Sequence, residues 1–245
     1  MCCLPASISE CLTIALRWKY ANKGISRISL QYLTDSIPRP HPNMEKCTLE
    51  VAYSLLMTNG AVFEEHYTLP FSPNKRNRPP GQVLQGPVVK IGGACIIHSP
   101  TKDQLTESLV FLEEYPLIGG LTLTHTFALW KEKGRTYYTS SEDYILESGE
   151  QQPHAILIVD YDFDPNQGIQ LFRVKNTFGV GWGDGGGYAW IDSRCLTHIS
   201  YPKIIRIQKR HFLLSIQAYP PPSPQPTPNV FFTRKSRIPW SGSKS

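Results

Sequence analysis

The sequence predicts an α+β protein in which helices come first and strands follow. Apolar residues recur at three- to four-residue spacing in the first third of the chain, which is typical of amphipathic helices. The remaining two thirds are richer in short apolar runs of the kind that form strands. A chain of 245 residues with 40% hydrophobic content can bury a sizeable core. No run of about 20 apolar residues occurs, so a membrane span is excluded.

Three helices are predicted from apolar periodicity and from their boundaries. The first runs from about Leu4 to Asn22, with a proline in its first turn and Gly24 just past its end. The second runs from Thr48 to Met57. The third begins at Ser99-Pro100, has leucines along one face, and ends before Pro116.

Five strands are predicted in the later part of the chain. Their bounds are Leu117–Thr126, His154–Asp162, Ile169–Asn176, Gly187–Asp192 and Lys203–Gln208. The number of strands and their short spacing favour an antiparallel barrel or sandwich. The Pro- and Asn-containing stretches 38–45 and 72–87 are predicted to be loops.

A histidine and an asparagine at strand ends are the strongest functional signal. His154 opens one apolar strand and Asn176 ends the next, and adjacent antiparallel strands lie about 4.8 Å apart, so the two residues can be in contact. A cysteine attacks well only as a thiolate, which requires an imidazole to take its proton and later return it. An amide oxygen behind the imidazole fixes its tautomer and orientation. The pair therefore predicts a thiol-based catalytic site.

The glycines after Asn176 offer a rival interpretation. Residues 181–186 fit the Gly-x-Gly-x-x-Gly pattern of dinucleotide binding. That motif must open a helix, whereas the following segment is predicted to be a strand, and a turn with positive backbone angles explains the glycines more simply. No cofactor is predicted. His66, His98 and His125 lack the ligand spacing of a metal site, so no metal is predicted either.

The residues around the His-Asn pair form a longer motif. The strand after His154 ends in Lys175-Asn176-Thr177-Phe178-Gly179, and Gly181-Trp182-Gly183 and Gly187-Tyr188 follow. This stretch resembles the C-terminal signature of the papain-like cysteine peptidases, which have Lys-Asn-Ser-Trp-Gly, a Gly-Trp-Gly turn and a Gly-Tyr strand. Weaker similarity extends over most of the chain and includes residues 29–35, which resemble the family's Ser-x-Gln-x-Leu-x-Asp.

The resemblance implies a domain organisation and a substrate. A papain-like helical lobe, incomplete at its N-terminus, is expected at residues 1–85. A lobe like an antiparallel β-barrel, carrying His154 and Asn176, is expected at residues 86–217. A peptide or protein substrate is expected in the cleft between them, and residues 218–245 form a Pro-rich basic tail.

The resemblance also implies a cysteine nucleophile at the start of the first helix. Cys2 and Cys3 are the candidates so placed, and Cys3 is favoured because it directly precedes the predicted helix. The helix dipole is expected to depress the pKa of a thiol at this position. Cys11 lies mid-helix on the apolar stripe and is predicted to pack. The implied catalytic residues are Cys3, His154 and Asn176.

Departures from the family pattern leave two hypotheses open. Leu4 replaces the tryptophan after the nucleophile, and Phe178 replaces the tryptophan that shields the His-Asn contact. The family's oxyanion glutamine has no counterpart, and losing one oxyanion donor typically costs about 10²–10³ in rate. The chain is thus expected to be an N-terminally truncated or degenerate family member and a cysteine-type peptidase of impaired activity. The alternative is a catalytically inactive homologue that acts as a peptide- or protein-binding module.

The C-terminal tail differs in composition from the rest of the chain. A proline run begins at Pro220 and predicts disorder, and from Ser193 onward there are nine Lys or Arg and no acid. Such a tail can engage an acidic partner or, through its prolines, an SH3-like or WW-like domain. Without base-reading aromatics on a folded platform, the sequence argues against nucleic acid.

Compartment is only weakly indicated. The N-terminus lacks the features of a signal peptide, and the six cysteines form no recognisable disulfide framework, so a cytoplasmic protein with free thiols is the default expectation. Members of the family are typically lysosomal, vacuolar or secreted.

Overall fold

The computed structural model describes residues 3–21, 24–37, 49–67, 86–134, 136–137, 152–203 and 205–208. The helices in these ranges are α1 (Cys3–Lys19), α2 (Leu30–Ser36), α3 (Leu49–Thr58), α4 (Lys102–Leu112) and α5 (His125–Leu129). The strands are β1 (Ala61–Val62), β2 (Val88–Lys90), β3 (Gly93–His98), β4 (Leu117–Leu123), β5 (Thr136–Tyr137), β6 (Gln152–Asp164), β7 (Ile169–Lys175), β8 (Tyr188–Asp192), β9 (Leu196–Lys203) and β10 (Arg206–Gln208). The fold class is α+β, as the sequence predicts.

The strands form two sheets. The larger has seven strands in the order β3-β9-β4-β6-β7-β8-β5, and all of its neighbours are antiparallel except β5 and β8. The smaller has the order β1-β2-β10 and is antiparallel. The hairpin of β6 and β7 lies inside the larger sheet and pairs Leu157 with Lys175 at one end and Asp164 with Ile169 at the other.

Helix α1 is held by an apolar stripe and by the buried hydroxyl group of Thr13. Its buried apolar residues recur at three- to four-residue spacing: Ile8, Cys11, Leu12, Ala15 and Leu16. Thr13 Oγ1 donates to the Ser9 carbonyl at 2.7 Å and accepts the Ile28 N–H at 3.0 Å, which ties the chain after the helix back onto it. The left-handed φ of Gly24, 65°, lies in that returning segment.

Two hydrophobic clusters make up the core of the described residues. The first joins α1, α2, α3 and the small sheet to Ile118 and Leu157 of the large sheet. The second lies between the large sheet, α4 and α5, and contains the fully buried Phe127 and Phe172. Full burial of such a side chain contributes about 1.5–3 kcal/mol. Helix α1 is therefore fixed against the large sheet by the packing of the first cluster.

The predicted helices correspond to α1, α3 and α4, with shifted ends. Helix α1 ends at Lys19, before the predicted end at Asn22. Helix α4 begins at Lys102 and not at Ser99-Pro100, because Thr101 is its N-cap: its Oγ1 accepts the Gln104 N–H, and the Gln104 side chain accepts the Thr101 N–H.

The predicted strands His154–Asp162, Ile169–Asn176 and Gly187–Asp192 correspond to β6, β7 and β8, and the other two differ from the structure in their bounds. The predicted strand Leu117–Thr126 is too long, because Thr124 caps α5 by accepting the Phe127 N–H at 3.1 Å. The predicted strand Lys203–Gln208 is divided between the end of β9 and β10. Helices α2 and α5 and strands β1, β2, β3 and β5 were not predicted, nor was most of β9. Three predicted segments lie outside the described residues: the loop 38–45, residues 72–85 of the second loop, and the tail 218–245.

No helix among the described residues is long and apolar enough to cross a membrane.

Candidate active site

Strands β6 and β7 bring His154 and Asn176 into contact. His154 lies near the start of β6, and Asn176 directly follows β7. His154 Nε2 lies 2.7 Å from Asn176 Oδ1, and the two residues are only 2% and 6% exposed. The contact predicted from the sequence is therefore present, and both residues are buried.

The backbone fixes the tautomer of this histidine. The Thr177 N–H donates to Asn176 Oδ1 at 2.7 Å, which identifies that atom as the amide oxygen. An amide oxygen only accepts, so His154 Nε2 is the protonated ring nitrogen and donates to it. Nδ1 is therefore the basic nitrogen, and it is buried without a hydrogen-bond partner.

Two phenylalanines enclose the imidazole. The Phe178 ring lies over it with ring centroids 4.8 Å apart and planes inclined by 31°, while 40% of Phe178 stays exposed. The Phe127 ring approaches edge-on at 6.1 Å. Burial lowers the pKa of His154 below 6.5, and the hydrogen bond to Asn176 opposes this shift. The ring is thus neutral at physiological pH.

Cys3 is the first residue of α1 and lies against the start of β6. Cys3 is 9% exposed. The backbone N–H of Ala155, the residue after His154, is hydrogen-bonded to the Cys3 thiol. Burial raises the pKa of Cys3 above 9.0, while the N–H groups of Ala155, Leu4 and Cys3 itself act to lower it. The sequence-based expectation of a depressed pKa is therefore wrong, because desolvation outweighs the favourable N–H groups.

Comparisons with known proteins agree on the fold. No protein-family model and no curated protein matches the sequence. The proform of the Amb a 11 cysteine protease, a ragweed pollen allergen, matches with a TM-score of 0.60 at 18% identity, over 83% of this chain and 59% of that one. Bromelain from Ananas comosus, in complex with the E64 inhibitor, matches with a TM-score of 0.57 at 16% identity, over 83% and 89%. Digestive procathepsin L 3 of Tenebrio molitor matches with a TM-score of 0.59 at 18% identity, over 82% and 62%.

The chain has the papain-like fold. At these identities the likeness defines the fold, and the chain spans 59% of the length of the ragweed protein it matches.

A glycine-rich turn after Asn176 contacts α5 and the residue that follows it. Trp182 is buried, its Nε1 donates to the Phe127 carbonyl at 2.7 Å, and the Gly183 N–H donates to the Trp130 carbonyl at 2.8 Å. Gly183 has a φ of 78°, and a Cβ there would lie 1.9 Å from the Tyr188 carbonyl oxygen. The segment continues into β8 and not into a helix. This supports the predicted turn and excludes the dinucleotide-binding interpretation.

The other cysteines have different surroundings. Cys11 is fully buried in α1, and its thiol donates to the Pro116 carbonyl at 3.0 Å. Burial raises the pKa of Cys11 to about 12, so it packs and does not react, as predicted. Cys2, the other candidate nucleophile, lies outside the described residues. Within the described ranges, no group of three or more His, Cys, Asp or Glu side chains could hold a metal ion.

Sequence reasoning missed two parts of the site around His154. The Ala155 N–H beside the thiol is a backbone group and has no sequence signal. Phe127 was not assigned to this site, although Thr124 three residues earlier is a visible N-cap that starts the short helix carrying it.

Proposed function

We propose that the chain is a cysteine-type peptidase that hydrolyses peptide bonds through Cys3, His154 and Asn176. The observation that supports this most strongly is the hydrogen bond from His154 Nε2 to Asn176 Oδ1, because it leaves Nδ1 free to act as a base. The papain-like fold and the contact between Cys3 and Ala155 support the same assignment.

In the proposed acylation step, the Cys3 thiol gives its proton to His154 Nδ1 as the sulfur attacks the scissile carbonyl carbon. The Nε2 proton stays in the hydrogen bond to Asn176, whose oxygen stabilises the imidazolium. The backbone N–H of Cys3 is the proposed donor to the oxyanion. The imidazolium then protonates the leaving amine, and an acyl thioester remains on Cys3.

In the proposed deacylation step, His154 Nδ1 takes a proton from water as the water oxygen attacks the thioester carbon. The carbon–sulfur bond breaks, the imidazolium returns the proton to Cys3, and a carboxylic acid leaves. The proposed substrate is a peptide or protein bound in a cleft between a helical lobe, residues 1–85, and a β-rich lobe, residues 86–217. The Pro-rich basic segment 218–245 is proposed to bind a separate partner.

The buried dyad favours a second candidate function. A raised pKa for Cys3 and a lowered pKa for His154 both favour the neutral thiol and imidazole over the reactive ion pair. A neutral thiol and a neutral imidazole are what we expect in a catalytically inactive papain-like homologue that binds a peptide or protein. The two functions differ in whether the thiol reacts faster than an ordinary one.

Labelling with an irreversible thiol-directed peptidase probe tests the proposal. The purified protein is labelled, the modified cysteine is mapped by mass spectrometry, and hydrolysis of a fluorogenic peptide is measured in parallel. We expect rapid labelling at Cys3, slowed about 10²-fold or more in His154→Ala, since general-base assistance contributes about 10²–10⁴. Cys95→Ser is the matched control, because Cys95 is a half-buried thiol outside the site.

Either result separates the two functions. Loss of peptide hydrolysis in Cys3→Ser but not in Cys95→Ser would support the peptidase. Slow labelling shared among the cysteines and unchanged in His154→Ala would overturn it and favour the inactive homologue.

A further inference from the structure

We propose that a cleft at the far end of the β6–β7 hairpin binds a small organic anion with an apolar body. The cleft has a volume of about 560 Å³, which lies within the range of small-molecule sites. Its walls come from the start of α4, the hairpin turn and the segment before β9. The residues that determine its chemistry are Lys102, Leu105, Phe163, Ile169, Arg194 and Leu196.

The floor of the cleft is apolar. Leu105, Ile169 and Leu196 are each less than a tenth exposed, so they form a fixed surface. Phe163 is 48% exposed and also lines the cleft, which leaves a large aromatic side chain open to a ligand. A planar or aliphatic ligand body that covers these side chains would bury apolar surface now in water.

The polar part of the lining selects an anion. Lys102 and Arg194 are its charged residues, and no Asp or Glu lines the cleft. The Arg194 guanidinium donates to both carboxylate oxygens of Asp192: Nε lies 3.1 Å from Oδ1 and 2.9 Å from Oδ2, and Nη2 lies 2.5 Å from Oδ2. Asp192 is itself only 2% exposed. Because Asp192 and Arg194 together carry no net charge, Lys102 supplies the net positive charge of the cleft. Arg194 supplies N–H donors, which its bonds to Asp192 orient.

The preference for an anion is assigned to the side chains that line the cleft. At the start of α4 the capping box already engages the N–H groups of Thr101 and Gln104. Uncharged hydroxyl groups of Ser193 and Thr197 also line the cleft and can bond to an anionic group.

The cleft is distant from the dyad. Phe163 lies nine residues after His154 on β6, which corresponds to roughly 30 Å of strand. An occupant of the cleft would therefore not contact Cys3 or His154, and the inference does not depend on peptidase activity.

A matched pair of fluorescent probes tests the proposal. Anilinonaphthalene sulfonate carries an aromatic body and one anionic group, and phenylnaphthylamine has the same body without the charge. We expect the sulfonate to bind at one site per chain and at least about tenfold more tightly than the neutral probe, since a charged hydrogen bond supplies a difference of that order. Equal affinities would overturn the assignment of an anion site.

Variants locate the bound probe. Lys102→Met leaves the Asp192–Arg194 pair intact and is expected to weaken sulfonate binding about threefold at low salt without affecting the neutral probe. Phe163→Ser is expected to weaken both probes. Arg206→Met removes an exposed cation outside the cleft and is the control. Unchanged sulfonate affinity in both Lys102→Met and Phe163→Ser, with the native circular dichroism spectrum, would place the probe elsewhere and overturn the proposal.

Discussion

Lys175 at the end of β7 forms an ion pair with Glu10 of α1. Lys175 directly precedes Asn176, and Glu10 lies on the helix that begins with Cys3. The Lys175 ammonium also lies 5.7 Å from the centre of the Tyr188 ring. The pair therefore connects the element that carries the thiol to the element that carries the asparagine.

Breaking this pair should affect turnover more than stability. The two side chains are 28% and 29% exposed, and a partly exposed ion pair contributes no more than about 1 kcal/mol. In Glu10→Gln we expect the free energy of unfolding to fall by less than about 1 kcal/mol, while kcat falls by about tenfold because a small shift of α1 misaligns the thiol. Urea unfolding and peptide hydrolysis measure the two effects.

A matched variant separates position from charge. Glu64→Gln removes one acid from an exposed 3-10 turn and should leave kcat unchanged. If Glu10→Gln retained wild-type kcat, the pair would have no positioning role.

Removing the amide of Asn176 should lower the pKa of His154 further. The hydrogen bond that His154 donates to Asn176 is the contribution that raises this pKa against burial, so Asn176→Ala leaves the effect of burial unopposed. Asn176→Asp places a carboxylate beside the ring and should raise the same pKa. Titration of the His154 ring by NMR measures both shifts, and a pKa that moved in the same direction in both variants would contradict the tautomer assignment.

Phe178 should control the solvation of the imidazole. Its ring covers His154 at 4.8 Å, so Phe178→Ala exposes the imidazole and should return its pKa toward 6.5. We expect peptide hydrolysis to fall by about tenfold, because water then competes for the His154–Asn176 hydrogen bond. Val180→Ala is the control: Val180 is 81% exposed in the same turn and should change neither quantity.

The rate of Cys3 alkylation should keep rising with pH above neutrality. Because burial raises the pKa of Cys3 above 9.0, the thiol form dominates at neutral pH. The thiolate fraction then increases about tenfold per pH unit until the pH reaches that pKa. Stopped-flow alkylation between pH 6 and pH 10 measures this, and a plateau below pH 8 would indicate a depressed pKa instead.

The sequence predicts the helices and strands that form because of the pattern of their own residues. Helix α1 has a long apolar stripe. Strand β6 is an apolar run that begins near His154, and β7 is one that ends just before Asn176, so the sequence predicts the positions of all three elements. Helix α2 has seven residues, too short for periodicity to be visible, and depends on its Ser29 cap and on the contact between Tyr67 and Asp35 at 2.7 Å. Strand β9 contains a proline and has no simple alternation, which explains why most of it was missed.

The wrong prediction of a depressed pKa for Cys3 also arises from contacts between residues that are distant in the sequence. A helix N-terminus is visible in sequence, and it favours a thiolate. The burial that reverses this effect at Cys3 comes from the packing of α1 against β6, whose residues lie about 150 positions away in the chain. Local reasoning located the thiol but could not determine how much water reaches it.

The proton position on His154 is set by a main-chain group. The second donor to Asn176 Oδ1 is the N–H of Thr177, and every residue except proline supplies that N–H. Side-chain identity at position 177 is therefore free to vary without loss of the tautomer, and Thr177→Pro is the one replacement there that would let the amide rotate.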